Sequence, residues 1–320
     1  MAITTPRPDT ATHNSSSRLT VVGGRTVSTK LLRVFAWTAL LSNALIAVTG
    51  AIVRVTGSGL GCTTWPDCQP GTLVPEYRTG LAAIHQAIEF SNRTITGIVL
   101  VASLGTFILI ALLRPRRRQL FWLATVGPIG VLFQAVWGGI LVHLGLAWWA
   151  VTPHLLASLV LVFFAAMVII RLRESDHPAR LVVPRHLAAL TWATAAVLAA
   201  VTVSGSIVTA TGPHAGDVNT PRLDWDLRDA AQLHADLMFL FLGLIAALGV
   251  ALVSTHAPRV LKRRISWLIG LTVAQGALGL TQYFLGVPEI LVVLHVLGAV
   301  TLIAVASFTC MATRERPALV

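Results

Sequence analysis

The sequence predicts an all-α integral membrane protein whose eight transmembrane helices form two pseudo-symmetric four-helix bundles. Three observations carry that expectation. The 320-residue chain is 55% hydrophobic and only 12% charged, with a mean hydropathy of +0.77, whereas a soluble domain carries roughly a quarter charged residues. Eight apolar stretches are long enough to cross a hydrocarbon core of ~30 Å. The two halves of the chain also repeat each other. With two Tyr and no regular dyad alternation, a membrane β-barrel is disfavoured.

Residues 1–30 are rich in Thr, Ser, Arg and Pro and contain no apolar core, so they read as a cytoplasmic tail rather than a cleavable signal. The N-terminal half, 31–170, holds spans near 32–53, 92–113, 120–142 and 154–170, the last short enough to borrow residues from its flanks. A linker at 171–186 leads to the C-terminal half, 187–312, with spans near 187–208, 234–254, 266–285 and 289–312, followed by a tail at 313–320. Of the 24 Lys and Arg residues, five (Arg54, Arg78, Arg93, Arg222 and Arg228) fall on one side of these spans and nineteen on the other. The positive-inside rule then puts both termini in the cytoplasm and the chain in the cell membrane. The basic balance sets orientation and requires membrane lipid as a partner, not nucleic acid.

The repeat is legible in two offsets. "VTGAIVRVTGSG" at 48–59 echoes "VSGSIVTATGPH" at 203–214, and "QAVWGGILVHLG" at 134–145 echoes "QGALGLTQYFLG" at 275–286. The second offset places His154 on His295. Each half has an even number of helices, so the repeat axis runs along the membrane normal. By spacing, Asn92 holds in the first half the place that His234 holds in the second.

Four histidines, His13, His177, His186 and His256, lie among cytoplasmic residues; the other six, His85, His143, His154, His214, His234 and His295, fall at the outer edge. His234 and His295 begin the sixth and eighth spans at one depth. Two neutral imidazoles from facing helices are what a six-coordinate heme iron needs, whereas a zinc site wants three or four ligands. In the stretch "LAAIHQAIEFSNRTITG" at 81–97, His85, Glu89 and Asn92 stack on one helical stripe with Arg93 beside them. Glu89 can serve as an acid or base there. Arg93 and Arg54 are candidate partners of heme propionates. A plain Glu89–Arg93 ion pair is the simpler reading of that turn. Cys62 and Cys68 share the outer loop "GCTTWPDCQPG" and can close a small ring, as a staple or as a redox pair. Cys310 reads as a small apolar residue.

These residues together resemble the heme A synthase family. "GAIVRVTGSGLGCTTWPDC", the "EFSNR" turn and histidines on even-numbered helices of a four-plus-four repeat carry the resemblance, over about 30–312. It implies oxidation of a methyl group on the edge of heme O to a formyl group, giving heme A. It also implies a prosthetic heme b held by His234 and His295, substrate heme in the first half with His154 as a ligand, and Glu89 as the catalytic acid. Cys62 and Cys68 match the family's paired outer-loop cysteines. Heme O synthase and an aa3-type cytochrome oxidase would be partners in the pathway. The family pattern has a histidine where this chain has Asn92, so the first half either holds its iron through His154 alone or recruits His85 from two turns away. A membrane b-type cytochrome that only transfers electrons is the competing reading. A transporter built on parallel repeats would need broken helices at mid-membrane, and ranks last.

Overall fold

The computed structural model describes residues 18–21, 24–76 and 83–317. Most of the N-terminal tail, His13, Arg78 and the start of the 81–97 stretch lie outside the described residues. A short hairpin, β1 (Arg18–Thr20) with β2 (Thr26–Ser28), leads into eight helices. They are α1 (Thr29–Val55), α2 (Ala83–Leu112), α3 (Arg118–His143), α4 (Trp148–Arg171), α5 (Arg185–Thr211), α6 (Leu227–Ser254), α7 (Arg259–Phe284) and α8 (Glu289–Met311). A second two-stranded pair joins β3 (Arg180–Leu181) to β4 (Arg314–Glu315).

Seven of these helices are long and apolar enough to cross a membrane; α7 is not. The reason is compositional. Its first turns carry Arg259, Lys262, Arg263 and Arg264, and Gln275 and Gln282 follow. Large side chains such as Leu41, Val101, Trp122, Ile129, Val250 and Trp267 are exposed on outward helix faces, an arrangement suited to lipid rather than water.

Local signals explain the helix limits. Ser28 caps α1 by accepting from the Lys30 amide, and Asp226 caps α6 by accepting from the amides of Arg228 and Asp229. Seven helices begin earlier than their apolar cores, α2, α4, α6 and α7 by six residues or more. α4 takes in Trp148 to Pro153, α6 takes in 227–233, α2 takes in 83–91, and α5 starts at Arg185. The polar first turns are helical but invisible to hydropathy, so His85, Glu89, Asn92 and His234 stand inside their helices rather than at the entry.

α3 and α7 end alike. Gly145 (φ +58) and Gly286 (φ +75) take the left-handed conformation that glycine adopts freely. The next residues, Leu146 and Val287, donate their amides back to the Leu141 and Gln282 carbonyls, as in a Schellman motif. Leu146 (φ +60) and Val287 (φ +64) are themselves left-handed, a costly state for a branched side chain.

In each half every helix packs on the next, and α1 packs on α4 as α5 packs on α8. Between the halves α4 meets α8 and α5, and α1 meets α8. Buried residues of both halves share one large core that includes Ile110, Leu120, Val162, Leu248, Leu261 and Ile303. At the end away from His154, His234 and His295, Arg171 pairs with Glu174 (2.7 Å) and Asp176 (3.1 Å), and Arg117 pairs with Asp176 (3.1 Å). Burial holds the Arg117 guanidinium below its usual pKa, with Asp176 opposing the shift.

Candidate functional site

The second half brings His234 of α6 and His295 of α8 together edge to face, with ring centroids 6.2 Å apart and the ring planes at 69°. Nδ1 of His234 donates to the Val201 carbonyl (3.0 Å) and lies 3.1 Å from Ser204 Oγ. That bond fixes the tautomer and leaves Nε2 as a free lone pair. His295 buries an Nδ1 with no hydrogen-bond partner. Glycines make room for both rings. A Cβ at Gly205 would meet His234 Cε1 at 2.9 Å, and one at Gly279 would meet His295 Cε1 at 3.4 Å. The separation leaves space for one metal ion with bonds of about 2.0 Å to each imidazole. The donor set therefore fits the iron of a heme. Among the described residues no three His, Cys, Asp or Glu side chains converge, so paired imidazoles are the ligand chemistry on offer.

The first half repeats this design with changes. Thr49 on α1 donates to Asn92 Oδ1 (2.7 Å), and Thr49 is the residue that matches Ser204 at the α1–α5 offset. Asn92 thus sits against α1 as His234 sits against α5. On α4, His154 buries an Nδ1 without a partner, as His295 does, and a Cβ at Gly138 would meet its Cε1 at 3.5 Å, just as one at Gly279 would meet His295. Gln134 of α3 donates to the His154 carbonyl (2.9 Å) and to Ser158 Oγ (2.5 Å).

Glu89 lies one turn before Asn92, 5% exposed. Its Oε2 accepts from the Cys62 amide (2.7 Å), and its Oε1 accepts from Arg93 Nη2 (2.6 Å) and Nε (3.1 Å). Arg93 uses its remaining donors on the carbonyls of Cys62, Thr64 and Asp67. All five N–H groups are then engaged, and none is left over for a propionate in this arrangement. The pair is therefore more than an exposed ion pair: it clamps the outer loop to α2. Cys62 and Cys68 close that loop with a disulfide, and Trp65 at its tip packs on α3 where a Cβ at Gly139 would collide with the indole. His85 meets the same loop through Ser58 Oγ, 2.8 Å from its Nδ1.

Arg54 turns away from both sites. It donates to the carbonyls of Thr209 and His214 at the end of α5. Near it the Gly59 amide donates to the Gly216 carbonyl (2.8 Å), Thr220 Oγ1 donates to the Gly145 carbonyl (3.2 Å), and His214 Nε2 donates to the Val287 carbonyl (2.8 Å). Arg54 is thus part of a lock between the outer loops of the two halves.

Sequence reasoning missed the hydroxyls of Thr49 and Ser204, the loop partner Ser58, and Trp65. The signal for the first two was present, since both stand at the same place in the repeated "VTG" and "VSG" segments. The other two are loop contacts without periodic pattern.

A heme A synthase of Lysinibacillus sphaericus is 42% identical over 76 residues, 23% of this chain and 23% of that protein. Protoheme IX farnesyltransferases of two Thermus thermophilus strains are 39% identical over 75 residues, 23% of this chain and 12% of theirs. The chain thus spans less than a quarter of the length of the curated relatives it matches. The profile of the cytochrome oxidase assembly protein family, COX15-CtaA, matches residues 33–307, nearly all of both halves. The chain belongs to that family, the one its motifs resemble.

Proposed function

We propose that this protein is a heme A synthase, oxidising the C8 methyl group of heme O to a formyl group by successive hydroxylation, with the chemistry in the first half and a prosthetic heme b in the second. The observation that carries the reading is the family match across both halves, joined to one asymmetry: the position of His234 is Asn92 in the first half, and the buried acid Glu89 stands one turn away. At the offset that pairs Asn92 with His234, Glu89 pairs with Ala231.

His234 and His295 would hold the heme b iron, with Val201 orienting the first imidazole. Bound there, the group supplies reversible one-electron chemistry. His154 would hold the substrate iron. His85 is the candidate second ligand; its bond to Ser58 favours a role at the entrance instead. Glu89 would hold or accept a proton at the reacting edge through Oε1 or Oε2, and Arg93 holds that carboxylate in place. Arg54 is better suited to joining the halves than to binding a propionate.

The reading treats α7 as an eighth span. It packs between α6 and α8 and matches α3 position for position at the second offset, down to Gly286 and Val287. Both termini would then be cytoplasmic and the histidine edge outside, in the cell membrane. Heme O synthase would supply the substrate, and an aa3-type oxidase would take the product.

The test is the heme content of the purified chain, expressed with and without a heme O synthase. Heme A, or its hydroxylated precursor, should appear only when heme O is supplied. Heme b alone in both preparations would favour a membrane cytochrome that acts only in electron transfer.

A further inference from the structure

At the end of the molecule away from His234 and His295, α6 and α7 part to leave an open cleft of about 500 Å³. Gly249, Val250 and Val253 of α6 wall one side and Ile265 and Ile269 of α7 the other, with Lys262 at the end nearest the α6–α7 turn. The volume falls in the range of small-molecule sites, ~300–1,000 Å³. Its level nearest the histidines, Ala246, is still about 18 Å of helix rise from His234, so the cleft is separate from the histidine site. Gly249 opens it. A Cβ there would meet Ile265 Cγ2 at 3.3 Å and Ile269 Cδ1 at 3.5 Å, so a larger side chain would grow into the gap.

The sequence offsets identify what the first half has at the same places. Gly249 matches Phe107 at the α2–α6 offset, and Lys262 matches Phe121 at the α3–α7 offset. Those two rings pack on each other with centroids 5.4 Å apart, and both rest on the main core. Ala246 likewise matches Leu104. Where the first half joins α2 to α3 through an aromatic pair, the second half has a bare backbone position and an ammonium group. Helix contacts normally fill to high density, so the second half forgoes a contact that the first half makes.

Charge and exposure say what fits. Lys262 is half-buried, and among the described residues its ammonium group has no ion pair. No Asp or Glu occurs between Asp236 and Glu289, and Arg259 stands one turn before Lys262 on the same stripe of α7. The hydroxyls of Ser254 and Ser266, also at this end, donate to the Val250 and Lys262 carbonyls (3.1 Å each), so Lys262 supplies the free donor. Val250 and Val253 are 69% and 63% exposed, which leaves the cleft open sideways, toward lipid. The occupant therefore has an apolar chain, an anionic head and access from the bilayer. We propose that the cleft binds one anionic phospholipid of the cytoplasmic leaflet, with its phosphate on Lys262 and Arg259 and an acyl chain laid over Gly249. Basic pockets between spans on the cytoplasmic side suit such head groups. The lipid fills between α6 and α7 the place that Phe107 and Phe121 fill between α2 and α3. The inference rests on α7 lying in the membrane as an eighth span, and is independent of the chemistry at the histidines.

Lipid binding to the full chain tests it. The protein is purified in detergent, stripped of lipid and titrated with phosphatidylglycerol or with phosphatidylcholine of the same acyl chains, and the bound lipid is counted by native mass spectrometry. The first lipid bound should be phosphatidylglycerol in preference to phosphatidylcholine. Lys262→Gln should weaken phosphatidylglycerol binding about fivefold, the effect of one basic group beside an anionic head, and leave phosphatidylcholine binding unchanged. Gly249→Phe should reduce the binding of both; Lys262→Gln carries the test if circular dichroism shows that Gly249→Phe does not fold. Equal binding of the two lipids by the unaltered chain, or unchanged phosphatidylglycerol binding by Lys262→Gln, would overturn the site. The span is checked separately. Val273→Cys, at an exposed position midway along α7, should resist a water-soluble maleimide in membrane vesicles, and labelling there would overturn the eighth span and this site with it.

Discussion

Asn92 is where the two halves part. It has the hydroxyl neighbour of its counterpart His234, yet an amide is a poor iron ligand, so on the proposed reading His154 alone would hold a first-half iron. Restoring the imidazole should supply the second ligand. Asn92→His should raise the heme retained per purified chain from about one toward two and suppress heme A formation, measured by pyridine hemochrome content and heme chromatography; unchanged stoichiometry would mean that residue 92 does not face the first-half iron. In the second half, His234→Ala and His295→Ala should each remove the prosthetic heme spectrum, because a single imidazole is left. At this scale the histidines and Glu89 were legible because polar groups stand out in apolar helices. Their partners were not. Thr49, Ser58 and Ser204 look like ordinary small residues until the fold brings them within hydrogen-bond reach. Arg93 was legible as a cation, but its engagement with three loop carbonyls depends on a loop path that no local pattern encodes.

The helices were found from hydropathy and their ends were not. Apolar runs locate what lipid must cover, whereas helix limits depend on caps and on polar turns that water or loops can satisfy. That is why α2 and α6 reach well beyond their predicted starts. It is also why α7, with its basic first turns, falls short on composition while packing like its twin α3. The offsets transfer from sequence to structure in detail: the paired turns at Gly145 and Gly286 share hydrogen bonds and backbone signs. A residue with a Cβ in that conformation costs about 1–2 kcal/mol. Gly145→Ala and Gly286→Ala should each lower the thermal midpoint accordingly, and Gly286→Ala should also loosen the second-half heme, because its turn leads straight into the helix carrying His295. Equal thermal midpoints for both variants and the parent would show that these turns are not under backbone constraint.

At the scale of the whole molecule, the two halves that the sequence offsets pair carry different side chains. The second half pairs His234 with His295. The first half has Asn92 where the sequence offset puts His234, a buried acid and a loop pinned across its edge by a disulfide and an ion pair. Outer-loop contacts through Arg54, Gly59 and His214 keep the two edges in register. This division of labour gives Glu89 a role confined to the first half. Replacing it with glutamine keeps an oxygen for the Cys62 amide but removes the charge that Arg93 meets. The decisive measurement is the heme extracted from Glu89→Gln protein expressed with a heme O synthase, with thiol labelling to verify that Cys62 and Cys68 remain bonded. Retained heme b with unprocessed heme O and no heme A is the expected result. Heme A at the level of the unaltered chain would remove Glu89 from the chemistry and contradict the assignment of the first half as the reacting half.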